Sequence, residues 1–407
     1  MNARTMPSPV SLDRTLPREE ISLANQKTGV WSLELIQNED DFMALAPWWD
    51  ALLERSCSPS PFLRWAWVST WWSIMRTRFK LAIGVVRNTS GEPEAIAPLV
   101  LGSFHRGPRR ALRHLGFMGG LGEVDSPRLD FMVQAGHEPF LMPRLCRIFA
   151  KLRGQWDCIR LNGVPAESPT VPYLRKALKK CGFGSGVLNN HDSRYIKLPA
   201  TWQDYEMTHS GSWRSKIRRK WKALEREHAG SSVLGGKDTP VESAMEEFID
   251  LHRQHFPEGV SDFLSGDSGR FHREIARQWL PSGRALMPTI QIEGKAAGAI
   301  YGFLEGDSFY QYQMGWDTRF QEISMGQLSM AWCLRAAMAE RVQCYDVLPG
   351  EYAYKESWCP EVRHLLDLES YRPLGFRSNL FLLMRTLKRL SARRASTQTT
   401  TTPTSDS

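Results

Sequence analysis

Two stretches of this chain run through the same order of elements, and that repetition restricts the fold more than any single motif. In the first, KLAIGVV (80–86) and AIAPLVLG (95–102) flank a turn at NTSGEP and read as a strand pair. A short strand near Asp130 to Val133, a helix over 137–153 and a strand DCIRLNGV (157–164) follow. In the second, RALMPTIQIEG (284–294) and AAGAIYGFLEG (296–306) flank the charged turn EGK. A strand over 308–314, a helix over 326–341 and a strand QCYDVLPG (343–350) follow. A strand pair leading to a helix and a further strand makes one α/β unit, so its repetition predicts two copies in tandem.

Other elements frame the repeats. A strand is expected at Val30 to Ile36. A helix over 39–55 sets Phe42, Leu45, Trp48, Trp49, Leu52 and Leu53 at helical spacing. A helix over 170–181 and a strand near Tyr195 to Leu198 close the first half. Helices over 213–228, 240–256 and 269–280 open the second, and a strand over 362–371 and a helix over 376–391 end it. The expected organisation is a disordered leader (1–28), an N-terminal unit (29–199), a C-terminal unit (200–374), a basic helix (375–391) and a disordered tail (392–407).

At 407 residues with 42% hydrophobic composition, the chain is long enough for two such units with real cores. No apolar run is long enough to span a bilayer, and MNARTMPSPVSLDRTLPREE has no apolar signal region. The seven cysteines (57, 146, 158, 181, 333, 344, 359) show no CxxC spacing and read as reduced thiols of a cytoplasmic protein. The formal charge of +8 concentrates at Arg214, Lys216, Arg218, Arg219, Lys220 and Lys222, and again between Arg385 and Arg394. Such patches attract nucleic acid, lipid head groups or a cofactor phosphate. The tryptophans at 48, 49, 65, 67, 71 and 72 have the spacing of core residues. His252, His255 and His272 lack the companions of a metal site and read as a solvated helix face, so no metal is expected. No Walker loop, nucleophile elbow or zinc signature occurs.

The stretch SFYQYQMGWDTRFQEISMGQL (308–328) carries the clearest chemistry. A strand ends near Gly315, and Ser324-Met325-Gly326 then opens a helix. Free N–H groups and the dipole of a first helical turn favour a phosphate.

This layout resembles the GNAT acyltransferase superfamily, whose cofactor loop reads Q/R-x-x-G-x-G/A between strand and helix. Gln321-x-x-Ser324-x-Gly326 fills it with Ser in place of the first Gly. The segments PFLRWAWVSTWW (61–72), EAIAPLVL (94–101), LRHLGF (112–117), HSGSWRSKIRRKWKALER (209–226), FYQYQMGWD (309–317), SMGQL (324–328) and YDVLPGEYAYKESW (345–358) resemble the CelD/BcsL type, related to the FemAB-type tandem fold. That resemblance implies an α/β (α+β) fold of two tandem GNAT-like domains, each a mixed, mostly antiparallel sheet flanked by helices. It implies acetyl-CoA, or another acyl-CoA, as co-substrate. Gln313, Met314, Gln321, Ser324, Met325, Gly326, Gln327 and Leu328 would hold it, with the pyrophosphate on the amides of Ser324 to Leu328. The first half has MVQAGHEPF where that loop would be, and is expected to be a degenerate partner shaping the acceptor cleft.

An amine nucleophile must lose a proton and a thiolate leaving group benefits from gaining one. Asp346 or Glu351 is expected as base, Tyr354 as the proton donor to sulfur, and Lys355 as a partner for an anionic group. The expected function is acyl transfer from CoA to an amine or hydroxyl of a small-molecule or glycan acceptor, in exopolysaccharide or cell-envelope metabolism. The alternatives are a FemAB-like transferase using aminoacyl-tRNA, favoured by the basic segment 213–222, and a non-catalytic protein binding membrane or polysaccharide.

Overall fold

Each repeated stretch folds into a strand pair, a third strand, a helix and a fourth strand. The computed structural model describes residues 30–103, 112–124, 126–256, 263, 266–350, 357–373, 375–379 and 381. The expected leader (1–28), the tail (392–407) and most of the helix over 376–391 lie outside the described residues.

The strands, in chain order, are β1 (Ser32–Ile36), β2 (Lys80–Leu81), β3 (Ile83–Arg87), β4 (Pro93–Ala97), β5 (Leu99–Gly102), β6 (His114–Phe117), β7 (Met132–Val133), β8 (Cys158–Pro165), β9 (Phe183–Lys197), β10 (Gly230–Leu234), β11 (Ala285–Leu286), β12 (Pro288–Ile292), β13 (Lys295–Glu305), β14 (Ser308–Trp316), β15 (Cys344–Pro349) and β16 (Glu361–Tyr371). They form a four-stranded sheet, β1-β3-β4-β7, and a twelve-stranded one, β10-β12-β13-β14-β15-β9-β16-β8-β6-β5-β2, with β11 beside β13. Two pairings are parallel, β6 with β8 and β14 with β15, and each is bridged by the helical part of its repeat. Every other strand pairing is antiparallel. Each repeat thus contributes one parallel pair to a mixed, mostly antiparallel arrangement flanked by helices, and both pairs lie in the large sheet.

Several expected elements are shorter than their apolar patterns. The strand over 95–102 breaks at Pro98, which has no N–H to continue a ladder. Its two parts, β4 and β5, belong to different sheets, as do β2 and β3. The helix over 39–55 divides into Glu39–Met43 and Ala46–Glu54, with Pro47 in the first turn of the second piece. The helix over 137–153 divides into Glu138–Leu145 and Ile148–Lys151. The strand expected near 195–198 is the end of a strand of 15 residues, β9.

The halves exchange strands. β9 pairs with β15 of the second repeat, and β16, late in the chain, lies between β9 and β8. The helix Trp65–Met75 seals the other contact between the halves. Trp67 is fully buried, with its ring 4.7 Å from Phe271 and 5.2 Å from Phe303. Beside it Arg64 Nε donates to Glu305 Oε2 over 2.7 Å, both side chains buried. Trp49, Trp71 and Trp72 are also core, whereas Trp48 is exposed. The helix Val241–His255 lies across β14, where a Cβ on Gly315 would sit 2.6 Å from the His252 amide nitrogen. Among the described residues no helix is long and apolar enough to cross a membrane.

Candidate active site

The site begins where a ladder stops. β14 and β15 pair in parallel only from Ser308↔Cys344 to Tyr310↔Asp346. Beyond that point they separate, because β15 bulges: its register with β9 shifts between Asp346 and Pro349. Leu348 takes a left-handed φ of 54°, a conformation costly for a branched side chain. The Asp346 carboxylate holds it there, since Oδ1 accepts from the Leu348 N–H over 2.8 Å. The same oxygen accepts from Ser193 Oγ at 2.7 Å, and Oδ2 pairs with Arg363 at 2.9 Å. A cavity of about 210 Å³ occupies the split, with Gln311, Tyr312, Gln313, Met314 and Trp316 on one side and Val347, Pro349 and Gly350 on the other.

Met314 and Trp316 also line a second cavity, of about 330 Å³, with Gln321, Ser324, Met325, Gly326, Gln327 and Trp358. Its floor is the N-terminus of the helix Met325–Ala339. Ser324 is not an ordinary N-cap. It sits at φ 58°, ψ 57° and its hydroxyl makes no capping bond. The hydroxyl instead accepts from Lys220 Nζ, which also reaches Gln327 Oε1 at 3.5 Å. Lys220 comes from the basic helix Gly211–Glu227, and burial, with Lys216 and Arg219 nearby, lowers its pKa. An anion placed here would relieve that repulsion.

The amides of the turn divide into two groups. Ser324 N–H donates to Gln321 O, and Gln327 and Leu328 N–H to Ser324 O. Among the described residues, the amides of Met325 and Gly326 have no acceptor, as expected at a helix start. The expectation that all five amides from Ser324 to Leu328 face the ligand therefore narrows to these two. Leu328 is fully buried in an apolar cluster with Met325 and Ile290 and lines no cavity. Gly326 lies against the Trp316 ring, where a Cβ would stand 3.3 Å from ring carbons.

A groove of about 780 Å³ opens from the far side of the split and shares Tyr312, Gln313, Pro349 and Gly350 with it. The first half supplies the opposite wall: Gly119, Gly120, Gly122, Glu123, Arg160, Asn162 and His191, with Asp367 from β16. Sequence reasoning expected the first half to shape a cleft but named none of these residues, although Gly119-Gly120-Leu121-Gly122 directly after a strand is a visible loop signal. The MVQAGHEPF segment has a different fate. Met132 and Val133 pair with β4, and Glu138 opens the next helix with an acidic first turn, which disfavours an anion.

The sequence-predicted catalytic residues do not assemble as expected. Asp346 is fully buried, both oxygens are committed to Leu348, Ser193 and Arg363, and it lines none of these cavities. Its position is that of a scaffold for the bulge, not of a base in contact with an acceptor. Glu351, Tyr354 and Lys355 lie outside the described residues. His252 is buried and its pKa falls to about 4, through burial and the nearby His255, with Gln313 hydrogen-bonded to it. His272 is fully buried among Phe263, Phe271 and Tyr312. These histidines do not form the solvated face expected of them. Among the described residues no group of His, Cys, Asp and Glu is arranged to hold a metal. All seven cysteines are free thiols.

A split parallel pair beside an open helix start is the arrangement to set against known proteins. Residues 211–356 match the family described as Acetyltransferase (GNAT) domain. The match spans the basic helix, the split and the helix start. The fold is shared over most of the chain with solved structures at low identity. FemX superposes with a TM-score of 0.57 at 12% identity, covering 86% of this chain and 99% of that one. A conserved protein of unknown function from Bacteroides thetaiotaomicron gives 0.50 at 9%, covering 83% and 100%. The C-terminal domain of a putative lysylphosphatidylglycerol synthetase from Agrobacterium fabrum gives 0.50 at 12%, covering 86% and 96%. No curated protein matches the chain. The matched region thus lies in the second half of the chain, and the first half builds the facing wall of the groove.

Proposed function

We propose that this protein is an acyl-CoA-dependent acyltransferase in which the second half holds the donor and the groove between the halves admits the acceptor. The observation that carries the reading is the split between β14 and β15 leading to the start of helix Met325–Ala339. The residues fit the donor. The Met325 and Gly326 amides, the helix dipole and Lys220 suit a pyrophosphate. Gln313 and Met314 border the narrow cavity that suits a pantetheine arm. When bound, the co-substrate supplies an activated acyl carbon. The protein's share is to orient that carbon at the split and to present the acceptor from the groove, which favours transfer through proximity. The roles expected of Glu351, Tyr354 and Lys355 belong to this proposal, as does a role in exopolysaccharide or cell-envelope metabolism.

Calorimetry with acetyl-CoA tests the reading. Binding is expected in wild type and lost in Gly326→Trp, whose side chain fills the 330 Å³ cavity, while the melting temperature stays near wild type. Lys220→Ala is expected to weaken binding about tenfold, in line with loss of one charge-assisted contact. No binding by wild type would remove the donor site.

A second reading has an observation of its own. Lys216, Arg218, Arg219 and Lys222 are exposed on the helix whose Lys220 reaches the donor site. A row of cations there also suits an acyl donor carried on RNA. That reading expects aminoacyl-tRNA binding with steep salt dependence, and acetyl-CoA binding no tighter than that of free phosphate.

A further inference from the structure

We infer that His191, oriented by Asp367, is the proton acceptor for the nucleophile that enters the groove between the halves; this rests on the transferase reading above. His191 lies on β9 and Asp367 on the neighbouring β16, and both line the groove with Gln313, Pro349 and Gly350. The last three also border the split. Ser193, two residues along the same face of β9, is the register partner of Pro349. That places His191 about 7 Å along the strand from the mouth of the split.

The carboxylate is held firmly. Asp367 is 5% exposed, and it accepts from Asn189 Nδ2 at 3.0 Å, Arg160 Nη2 at 3.3 Å and the Gly163 N–H at 3.1 Å. Arg160 Nε donates in turn to Asn162 Oδ1 at 2.7 Å, and Asn162 Nδ2 to Gly120 O at 2.9 Å. His191 Nε2 lies 3.3 Å from Asp367 Oδ2. An anion at Nε2 keeps the proton there, which makes Nδ1 the basic nitrogen. The same anion stabilises the imidazolium once a proton has been taken.

Among the described residues, the other ionisable side chains of the groove are less suited. Glu123 is paired with Arg78, Arg160 is a cation, Tyr312 is a phenol and so a proton donor near neutral pH, and Asp367 is surrounded by donors. Among the described residues, the charged groups that line the groove with the imidazole are Asp367 from β16, Arg160 from β8 and Glu123 from the glycine-rich loop. Asp192 and His364 pair with each other on the opposite face of the sheet. In the step proposed, His191 Nδ1 takes the proton of the acceptor amine or hydroxyl as the new bond to the acyl carbon forms. The carbon–sulfur bond breaks, the electron pair leaves with sulfur, and the imidazolium returns the proton to that thiolate through solvent. The products are the acylated acceptor and the free thiol.

Two measurements on the full chain test this. Nitrogen NMR of the imidazoles reads the tautomer without any ligand. The proton is expected on Nε2 of His191 in wild type and is expected to redistribute in Asp367→Asn. A wild-type proton on Nδ1, or identical tautomers in both proteins, overturns the dyad. Thiol release from acetyl-CoA is then followed between pH 6 and 9 with ethanolamine as nucleophile, water being the competing acceptor. His191→Asn is expected to lower the rate at saturating acetyl-CoA on the order of 100-fold. Its acetyl-CoA affinity should match wild type, and alkaline pH should restore part of the rate as ethanolamine loses its own proton. His191→Gln serves as a second variant should Asn disturb the fold. A folded variant within about threefold of wild type overturns the assignment. Wild type that binds no acetyl-CoA in calorimetry instead removes the donor site, and the tautomer result then decides the dyad alone.

Discussion

His272 shows what a helical pattern reveals and what it leaves out. Its polarity reads as a solvated helix face, yet it lies three and four residues before Ile275 and Ala276, on the apolar side of its helix. The period does not name the surface opposite, which is the aromatic seam between the halves. Burial there pushes the His272 pKa down to about 3, and neither ring nitrogen finds a partner among the described residues. The folded state thus keeps His272 neutral while the unfolded chain protonates it near pH 6.5. The unfolded state binds more protons below that value, so its contribution to stability is present above pH 6.5 and lost as pH falls toward 3. His272→Phe keeps an aromatic ring of similar shape and removes the unpaired polar atoms. The variant should be at least as stable as wild type at pH 7.5. Its advantage in denaturant titrations should grow by about 1 kcal/mol for each pH unit below 6. A pH-independent difference would show that the imidazole is protonated in the folded protein.

The elements of the donor site were partly legible. A strand ending at Gly315 and a helix opening near Ser324 followed from small residues after an apolar run, and both occur. The backbone of Ser324 was not legible, because Ser before a helix reads as an N-cap. Here it occupies the left-handed region that glycine would take more cheaply. The bulge in β15 was hidden for a similar reason: Asp346-Val347-Leu348-Pro349-Gly350 reads as a strand that simply ends. What bends it is a tertiary ion pair, Asp346 with Arg363, and the hydroxyl of Ser193 from a strand about 150 residues away in sequence. Asp346→Asn therefore removes the fully buried charge that balances the half-buried Arg363. The expected cost is about 3 kcal/mol, read from denaturant midpoints. Acetyl-CoA binding should weaken as well, since the carboxylate holds Leu348 and with it the opening between β14 and β15. Full stability together with full affinity in Asp346→Asn would show that the bulge persists without it.

At the scale of the whole molecule the repetition correctly announced two related units, but not how they are joined. β9 is mostly polar and shows no clean alternation, so the sequence pattern marked only its last few residues. It lies inside the large sheet, paired on both sides, and its His191 lines the groove. Register between β9 and β16 links residues roughly 170 positions apart, a relation that local periodicity does not contain. The exchange makes the large sheet continuous from β10 to β2, and the seam of Trp67, Phe271 and Phe303 with the Arg64–Glu305 pair closes the second contact. Neither half can unfold without opening both contacts. Tryptophan fluorescence, which reports on side-chain packing in both halves, and circular dichroism, which reports on all elements, should therefore follow one coincident transition in denaturant. Glu305→Ala leaves Arg64 buried with only the more exposed Glu54 and Asp50 near it. It should lower that single transition by about 3 kcal/mol and keep the two probes together. Independent halves would behave otherwise: unfolding would show two transitions, and the substitution would shift one of them and leave the other in place.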